Sequence, residues 1–324
     1  MPASRQLRLL PALGLWLAVT LATAFYANGL GYGGRELAAT LAAFALLLAG
    51  ELLPSAAGVT ESVQRFLAAP IAWLLAVPIL GAYAIYAVGT GNSTSWHWMI
   101  VAAYVLVPLA LLSLREGSAP AWNDYLALIA IPIPVKRLWL SGLWPYPDGH
   151  AAHLMTVLLG MNVAVAGFLF IRGLDGIGYS LSWSTKQTFH VVAGIVFVAI
   201  VDIPAGLALH FLHWAPGHAG WRSFPVTTIG IFFFTAWPEE FVFRGLLQNL
   251  LSRSLKNEKW AWMAASVIFG LSHITNGGFP NWRYVLLATF AGICYGWTWR
   301  RSGTIFASAI VHTVVDVIWH FLFA

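Results

Sequence analysis

The sequence contains few charged residues. Asp, Glu, Lys and Arg together make up 9% of its 324 residues, whereas a soluble domain has about 25%. Twelve acidic and seventeen basic residues cannot cover a 35.3 kDa globule with a polar surface. The composition therefore excludes a soluble cytoplasmic protein. It also excludes a disordered chain, which needs few apolar residues and many charges.

Cysteine is almost absent as well. Cys294 is the single cysteine of the sequence, so a disulfide scaffold is excluded. The net charge is only +5, and the basic residues are scattered singly or in pairs. Such a distribution does not produce the basic face that binds nucleic acid. We therefore expect no nucleic-acid partner.

Long apolar stretches are what the sequence has in abundance, since 59% of the residues are hydrophobic. A helix needs about 20 apolar residues to cross the hydrocarbon core of a bilayer. Stretches of this kind lie at 9–30, 37–53, 66–90, 97–114, 153–171, 190–212, 226–251, 260–275, 283–299 and 305–324. Segment 121–135 is shorter and contains Pro132 and Pro134, so it either spans or re-enters. The sequence predicts an all-α, polytopic membrane bundle of about ten or eleven transmembrane helices, because no strand alternation long enough for a barrel is found.

The positions of the ionisable residues suggest a division of the chain. A charge inside a membrane span is costly unless it is paired or functional. Most such charges lie in the last hundred residues, and Asp202 lies shortly before them. We expect an N-terminal accessory transmembrane region at 1–172 and a catalytic membrane domain at 190–324, with its motifs at 226–324.

The first motif is Glu239-Glu240-Phe241-Val242-Phe243-Arg244, inside a predicted span. Two adjacent carboxylates in an apolar helix are difficult to ionise together. Arg244 lies one helical turn after Glu240 and can neutralise it. Glu239 points about 100° around the helix and is left for another partner, which suits a general base. The alternative is a structural ion pair that locks two helices together.

Two further motifs bring histidines. Phe269-Gly270-Leu271-Ser272-His273 ends one predicted span, and His312-Thr313-Val314-Val315-Asp316 places an imidazole and a carboxyl one turn apart in the last helix. Each motif also has a structural alternative. His273 could be a hydrogen-bonded histidine of the packed core, and His312 and Asp316 could be a pair that only stabilises the bundle.

Taken together, three helices supply the groups of a buried hydrolytic site. In one mechanism a glutamate and a histidine activate water, and other polar groups stabilise the oxyanion. In the other, Glu239, His273 and His312 bind zinc, whose bound water attacks. The residues alone leave both mechanisms open.

The same three elements resemble a known family. EEFVFR, FGLSH and HTVVD are similar to the EExxxR, FxxxH and HxxxN/D motifs of the CAAX protease and bacteriocin-processing family. Its members are intramembrane endopeptidases related to the type II CAAX prenyl protease. The resemblance covers about residues 226–324, with the motifs in the family's order, and does not extend to the first 150 residues.

The resemblance implies catalytic roles at the matching positions. Glu239 is expected to be the general base that activates water, and His273 to help hold that water. Glu240 and Arg244 are expected to support and orient this pair. The family's preferred mechanism is metal-free, so the resemblance implies no cofactor; zinc belongs to the alternative mechanism.

His312 and Asp316 are implied to be the pair that stabilises the oxyanion. The prenyl protease has asparagine where this chain has Asp316. An amide donates a hydrogen bond to an oxyanion, whereas an ionised carboxylate cannot. Asp316 must therefore be protonated or act by orienting His312.

We accordingly expect an intramembrane endopeptidase of a bacterial inner membrane, with the lipid bilayer and a membrane-bound protein or peptide substrate as its partners. The alternative is a non-enzymatic membrane transporter or bacteriocin-immunity protein. In that case the buried Glu, His and Asp groups would serve proton coupling or binding.

Overall fold

The computed structural model describes residues 3–66, 73–114 and 119–324. Within these ranges the regular structure is helical, and extended pairing is limited to a bridge between Trp214 and Phe323. The predicted all-α fold is confirmed. Seven helices of the described ranges are long and apolar enough to cross a membrane: Leu9–Gly29, Gly34–Ser55, Trp73–Thr90, Ser95–Ser113, Ala152–Ile171, Thr185–Ala208 and Ile305–Leu322. The chain is a multi-pass membrane protein, although length and apolarity alone do not confirm ten or eleven spans.

Two compact units make up the chain, Met1–Asp175 and Gly176–Ala324. The helices of the first unit are α1 Ala3–Gly29, α2 Gly34–Leu52, α3 Val59–Phe66, α4 Trp73–Thr90, α5 Ser95–Ser113, α6 Trp122–Ala130, α7 Pro132–Lys136 and α8 Ala152–Ile171. The predicted span 66–90 includes residues 67–72, which lie outside the described ranges. The accessory role expected for this part of the chain stays a prediction.

Segment 121–135 does not cross the bilayer as one helix. Helix α6 has nine residues and α7 has five. At 1.5 Å per residue, α6 is about 14 Å long, roughly half the thickness of the hydrocarbon core. Pro132 divides the segment because its ring lacks the N–H that would continue the helix.

The second unit contains the motifs. Its helices are α9 Thr185–Ala208, α10 224–255, α11 Glu258–Leu271, α12 Trp282–Ser302 and α13 Ile305–Leu322. Four of them begin at a side-chain cap that accepts backbone N–H groups, as helix starts require. The capping residues are Ser184, Asn257, Asn281 and Thr304.

Helices α9 and α10 contain widened, π-helical turns. Val198–Asp202 is one such turn, and α10 contains two, Phe232–Ala236 and Phe241–Gln248. Two of the three turns directly precede a helical proline, Pro204 or Pro238. Proline has no N–H for the carbonyl four residues earlier, and in both helices that carbonyl lies within the π-helical turn. Such turns occur frequently at functional sites. In α10 they flank Glu239 and Glu240.

Helices α11 and α12 approach each other closely at Gly270. A Cβ atom built on Gly270 would lie 2.0 Å from Thr289 Oγ1 and 2.6 Å from the Val285 carbonyl oxygen. The second contact involves backbone, which cannot rotate away. Glycine is therefore required here, and its position fixes the end of α11 that carries His273.

Gly270→Ala is expected to lower the free energy of unfolding by about 1–3 kcal/mol, the usual cost of overpacking a core. Gly230→Ala is the matched control, because Gly230 is also helical and has no atom within 4 Å of its Cβ position. That variant should be neutral or slightly stabilised. Detergent-induced unfolding followed by circular dichroism measures both, and equal stability of the two variants would contradict the close packing.

Candidate active site

Glu240 and Arg244 form the ion pair that their spacing predicts. Arg244 Nε donates to Glu240 Oε2 across 3.1 Å, and both side chains are completely buried. Neither terminal guanidinium nitrogen has a hydrogen-bond partner among the described residues. The guanidinium carbon instead lies 4.7 Å from the centre of the Phe269 ring and 5.7 Å from that of Tyr295. Arg244 is thus held by one carboxylate and by cation–π contacts.

Glu240 also binds the last helix, α13. Its Oε1 lies 3.0 Å from His312 Nδ1, and its Oε2 accepts a hydrogen bond from the Ser308 hydroxyl. An ionised carboxylate only accepts hydrogen bonds, so His312 Nδ1 carries the proton in this contact. The motifs did not reveal Ser308, although its position one turn before His312 on α13 was a possible signal.

His312 lies between two carboxylates and two aromatic rings. Its Nε2 is 3.5 Å from Asp316 Oδ2, a loose ion-pair distance, and the Asp316 side chain is 27% exposed. The imidazole stacks on Tyr295, with ring centres 4.5 Å apart, and meets Phe269 edge-on at 5.8 Å. This arrangement fixes the orientation of the ring.

His273 begins the turn after α11 and is also buried. Its Nδ1 lies 2.8 Å from the Phe269 carbonyl oxygen. A carbonyl can only accept, so Nδ1 carries the hydrogen and Nε2 of the neutral ring is an acceptor. The ring contacts Phe269 and Tyr284, with centres 4.9 Å apart in each case. Both motif histidines therefore contact the ring of Phe269.

Glu239 takes no part in the contacts of the Glu240 ion pair. Its Oε2 is buried and has no hydrogen-bond partner among the described residues. Tyr284 on α12 interacts electrostatically with both Glu239 and Asp316, and its ring contacts His273. Tyr284 thus contacts His273 and lies within electrostatic range of Glu239 and Asp316. No motif contains this tyrosine, so the sequence did not predict its position at the site.

Comparison with known families identifies this part of the chain. Residues 221–318 match the family model described as type II CAAX prenyl endopeptidase Rce1-like. The chain carries an Rce1-like domain. The match includes all three motifs, which confirms the resemblance seen in the sequence, and the unit Met1–Asp175 lies outside it. No curated protein and no solved structure matches the chain.

The zinc-binding set does not assemble in the Rce1-like domain. Across residues 3–66, 73–114 and 119–324, no group of three or more His, Cys, Asp and Glu side chains is placed to hold a metal ion. The observed geometry thus does not fit zinc ligation by Glu239, His273 and His312.

Asp202 lies beside the same network, before the matched residues. It is buried in the π-helical turn of α9, and its Oδ1 has no hydrogen-bond partner in the described part of the chain. Asp202 acts electrostatically on Tyr295, as do Glu240 and Asp316. Tyr295 thus lies within electrostatic range of three carboxylates and stacks on His312.

Proposed function

We propose that the Rce1-like domain is an intramembrane endopeptidase that hydrolyses a peptide bond of a membrane-associated protein or peptide. One observation carries the proposal. Both carboxylate oxygens of buried Glu240 are bonded within the protein, to Arg244, Ser308 and His312, while the adjacent Glu239 keeps a buried carboxylate oxygen without a protein partner among the described residues. A purely structural ion pair does not require this second carboxylate.

In the proposed mechanism Glu239 is the general base. Its unpaired oxygen is available to a water molecule, and it takes one proton from that water as the oxygen attacks the carbonyl carbon of the substrate. His273 Nε2 accepts the other hydrogen of the water and so orients it. This role is supported by the contact of His273 Nδ1 with the Phe269 carbonyl, which leaves Nε2 as the acceptor.

His312 is the proposed oxyanion donor. The attack places a negative charge on the substrate's carbonyl oxygen, which needs a positively charged or hydrogen-bonding partner. Glu240 and Asp316 flank the imidazole and stabilise its protonated form, so Nε2–H can donate to the oxyanion. Asp316 acts by orienting and charging His312. When the peptide bond breaks, Glu239 returns its proton to the leaving amine.

Replacing Asp316 tests this assignment. Asp316→Asn restores the family's asparagine, which can itself donate to the oxyanion, so we expect activity within about tenfold of the original. Asp316→Leu can neither orient His312 nor donate to the oxyanion. It should lower kcat by about 10²–10³-fold, the usual cost of losing an oxyanion contact. Equal losses in the two variants, measured with one peptide substrate, would contradict the proposed role.

The experiment that tests the function compares the peptides of membranes containing the protein with those containing Glu239→Gln, by mass spectrometry. We expect new peptide ends only with the unaltered protein. The proposed natural setting of the reaction is a bacterial inner membrane. Adding a zinc chelator is expected to leave the products unchanged, because the proposed mechanism uses no metal. Identical peptide profiles for the two proteins would refute the proposal.

A proton-coupled transporter or immunity protein is the second candidate. Asp202 favours it, because a buried carboxylate in an irregular membrane helix also serves proton relays. Reconstituted vesicles would distinguish the candidates. Proton-coupled uptake that survives Glu239→Gln and is lost in Asp202→Asn would support transport over proteolysis.

A further inference from the structure

Two pairs of residues face each other at the end of the second unit where α9 begins and α12 ends. Lys186 and His190 are one turn apart on α9, and Trp297 and Arg301 are one turn apart on α12. The rings of His190 and Trp297 meet edge-on, with centres 5.3 Å apart. The two facing pairs thus place Lys186, His190 and Arg301 close together.

His190 lacks a partner for one buried atom. The residue is 9% exposed, and its Nδ1 has no hydrogen-bond partner in the described ranges. Buried polar atoms in proteins are nearly always hydrogen-bonded, so an exception points to a group that the protein itself does not supply. Both Lys186 and Arg301 act electrostatically on this imidazole, in agreement with their positions one turn from His190 and from its ring partner Trp297.

No acidic side chain of the described residues forms an ion pair with these cations. Neither Lys186 nor Arg301 forms an ion pair within the described ranges, and Glu258 pairs with Arg300. The first turn of α9 adds unpaired N–H groups, because the Ser184 hydroxyl accepts only from Gln187 N. A helix start beside two cations and an imidazole is suited to an anion, phosphate above all.

The surface that continues from this cluster is apolar. Four exposed residues follow on α9 at helical spacing: Phe189, Val192, Val196 and Ile200. At 1.5 Å per residue this stripe is about 16 Å long, close to half of the roughly 30 Å hydrocarbon core. The stripe has the length of an acyl chain in one leaflet. A free phosphate ion has no apolar part that could pack against this stripe.

We propose that Lys186, His190 and Arg301 bind the phosphate of an anionic phospholipid, whose acyl chain lies along the apolar stripe of α9. Phosphatidylglycerol has this chemistry, whereas phosphatidylcholine carries a cation that the cluster would repel. Basic ends of membrane helices face the leaflet that holds anionic lipid. The site is separate from the proposed catalytic residues, and the inference is independent of the proteolytic activity.

Native mass spectrometry of the detergent-purified full chain tests the proposal. We expect the protein to retain dioleoylphosphatidylglycerol and not dioleoylphosphatidylcholine. Lys186→Gln/Arg301→Gln should weaken retention of phosphatidylglycerol by about tenfold or more, because each basic residue near the lipid phosphate contributes to binding. His190→Phe keeps the aromatic contact with Trp297 and should weaken retention as well.

Lys256→Gln/Lys259→Gln is the matched control, since it removes two exposed cations outside the cluster. It should retain phosphatidylglycerol like the original protein. An equal loss in the control pair, or equal retention of phosphatidylcholine, would overturn the proposed site. Displacement of the lipid by millimolar inorganic phosphate would also overturn it, because the ligand would then be a free anion. Circular dichroism excludes unfolding of the variants.

Discussion

Glu239→Gln is expected to reduce kcat/KM for peptide cleavage by about a thousandfold, within the range for loss of a general base. Glutamine has the size of glutamate and can still hydrogen-bond to water, but its amide cannot take a proton. The buried Glu240–Arg244 pair does not involve Glu239, so the fold should be unchanged. Cleavage of a fluorogenic membrane peptide in vesicles measures the loss.

Glu258→Gln is the control for this experiment. Glu258 is an exposed glutamate in the first turn of α11, and it pairs with Arg300. Its replacement should leave kcat/KM within about twofold, since exposed pairs contribute little. If Glu239→Gln kept activity comparable to this control, Glu239 could not be the base.

Arg244→Met is expected to lower the free energy of unfolding by about 3–5 kcal/mol. Methionine retains part of the apolar volume of arginine, but it leaves the carboxylate of Glu240 buried without its arginine partner, with only His312 and Ser308 still in contact. Removing one partner of a buried pair costs far more than the pair contributes, because the remaining charge loses its compensation. Detergent-induced unfolding monitored by circular dichroism reports the change.

Two further variants separate this effect from a general loss of charge. Arg244→Met/Glu240→Gln removes both charges and should recover part of the lost stability. Arg253→Met removes a partly buried arginine from the end of the same helix and should cost less than Arg244→Met. A double variant less stable than Arg244→Met would contradict the account of an uncompensated carboxylate.

The sequence predicted the helical class and the approximate helix positions because apolar length is a local property. The helix predicted over 153–171 is found at Ala152–Ile171, and the one predicted over 305–324 at Ile305–Leu322. It also predicted the Glu240–Arg244 pair, which depends only on spacing within one helix. What lies within one helix can be derived from the sequence.

Contacts between helices could not be predicted in the same way. The bond between Glu240 and His312 joins α10 to α13, and no periodicity specifies which faces of two helices meet. Tyr284 and Tyr295 lie in an apolar helix without a motif, so nothing marked them as neighbours of the site. The π-helical turns of α10 also change the direction of its side chains, which a regular helical projection does not include.

The proposed mechanism requires Glu239 and His273 to act on one water molecule, and a double-mutant cycle measures whether they do. The kcat/KM values of Glu239→Gln, His273→Ala and the double variant would be compared with that of the original protein. When two residues act on the same water molecule, the free-energy effects of replacing them do not add. If both residues act on one water molecule, the kcat/KM of the double variant should be about equal to that of the less active single variant. A loss equal to the product of the two single losses would show that the two residues act independently.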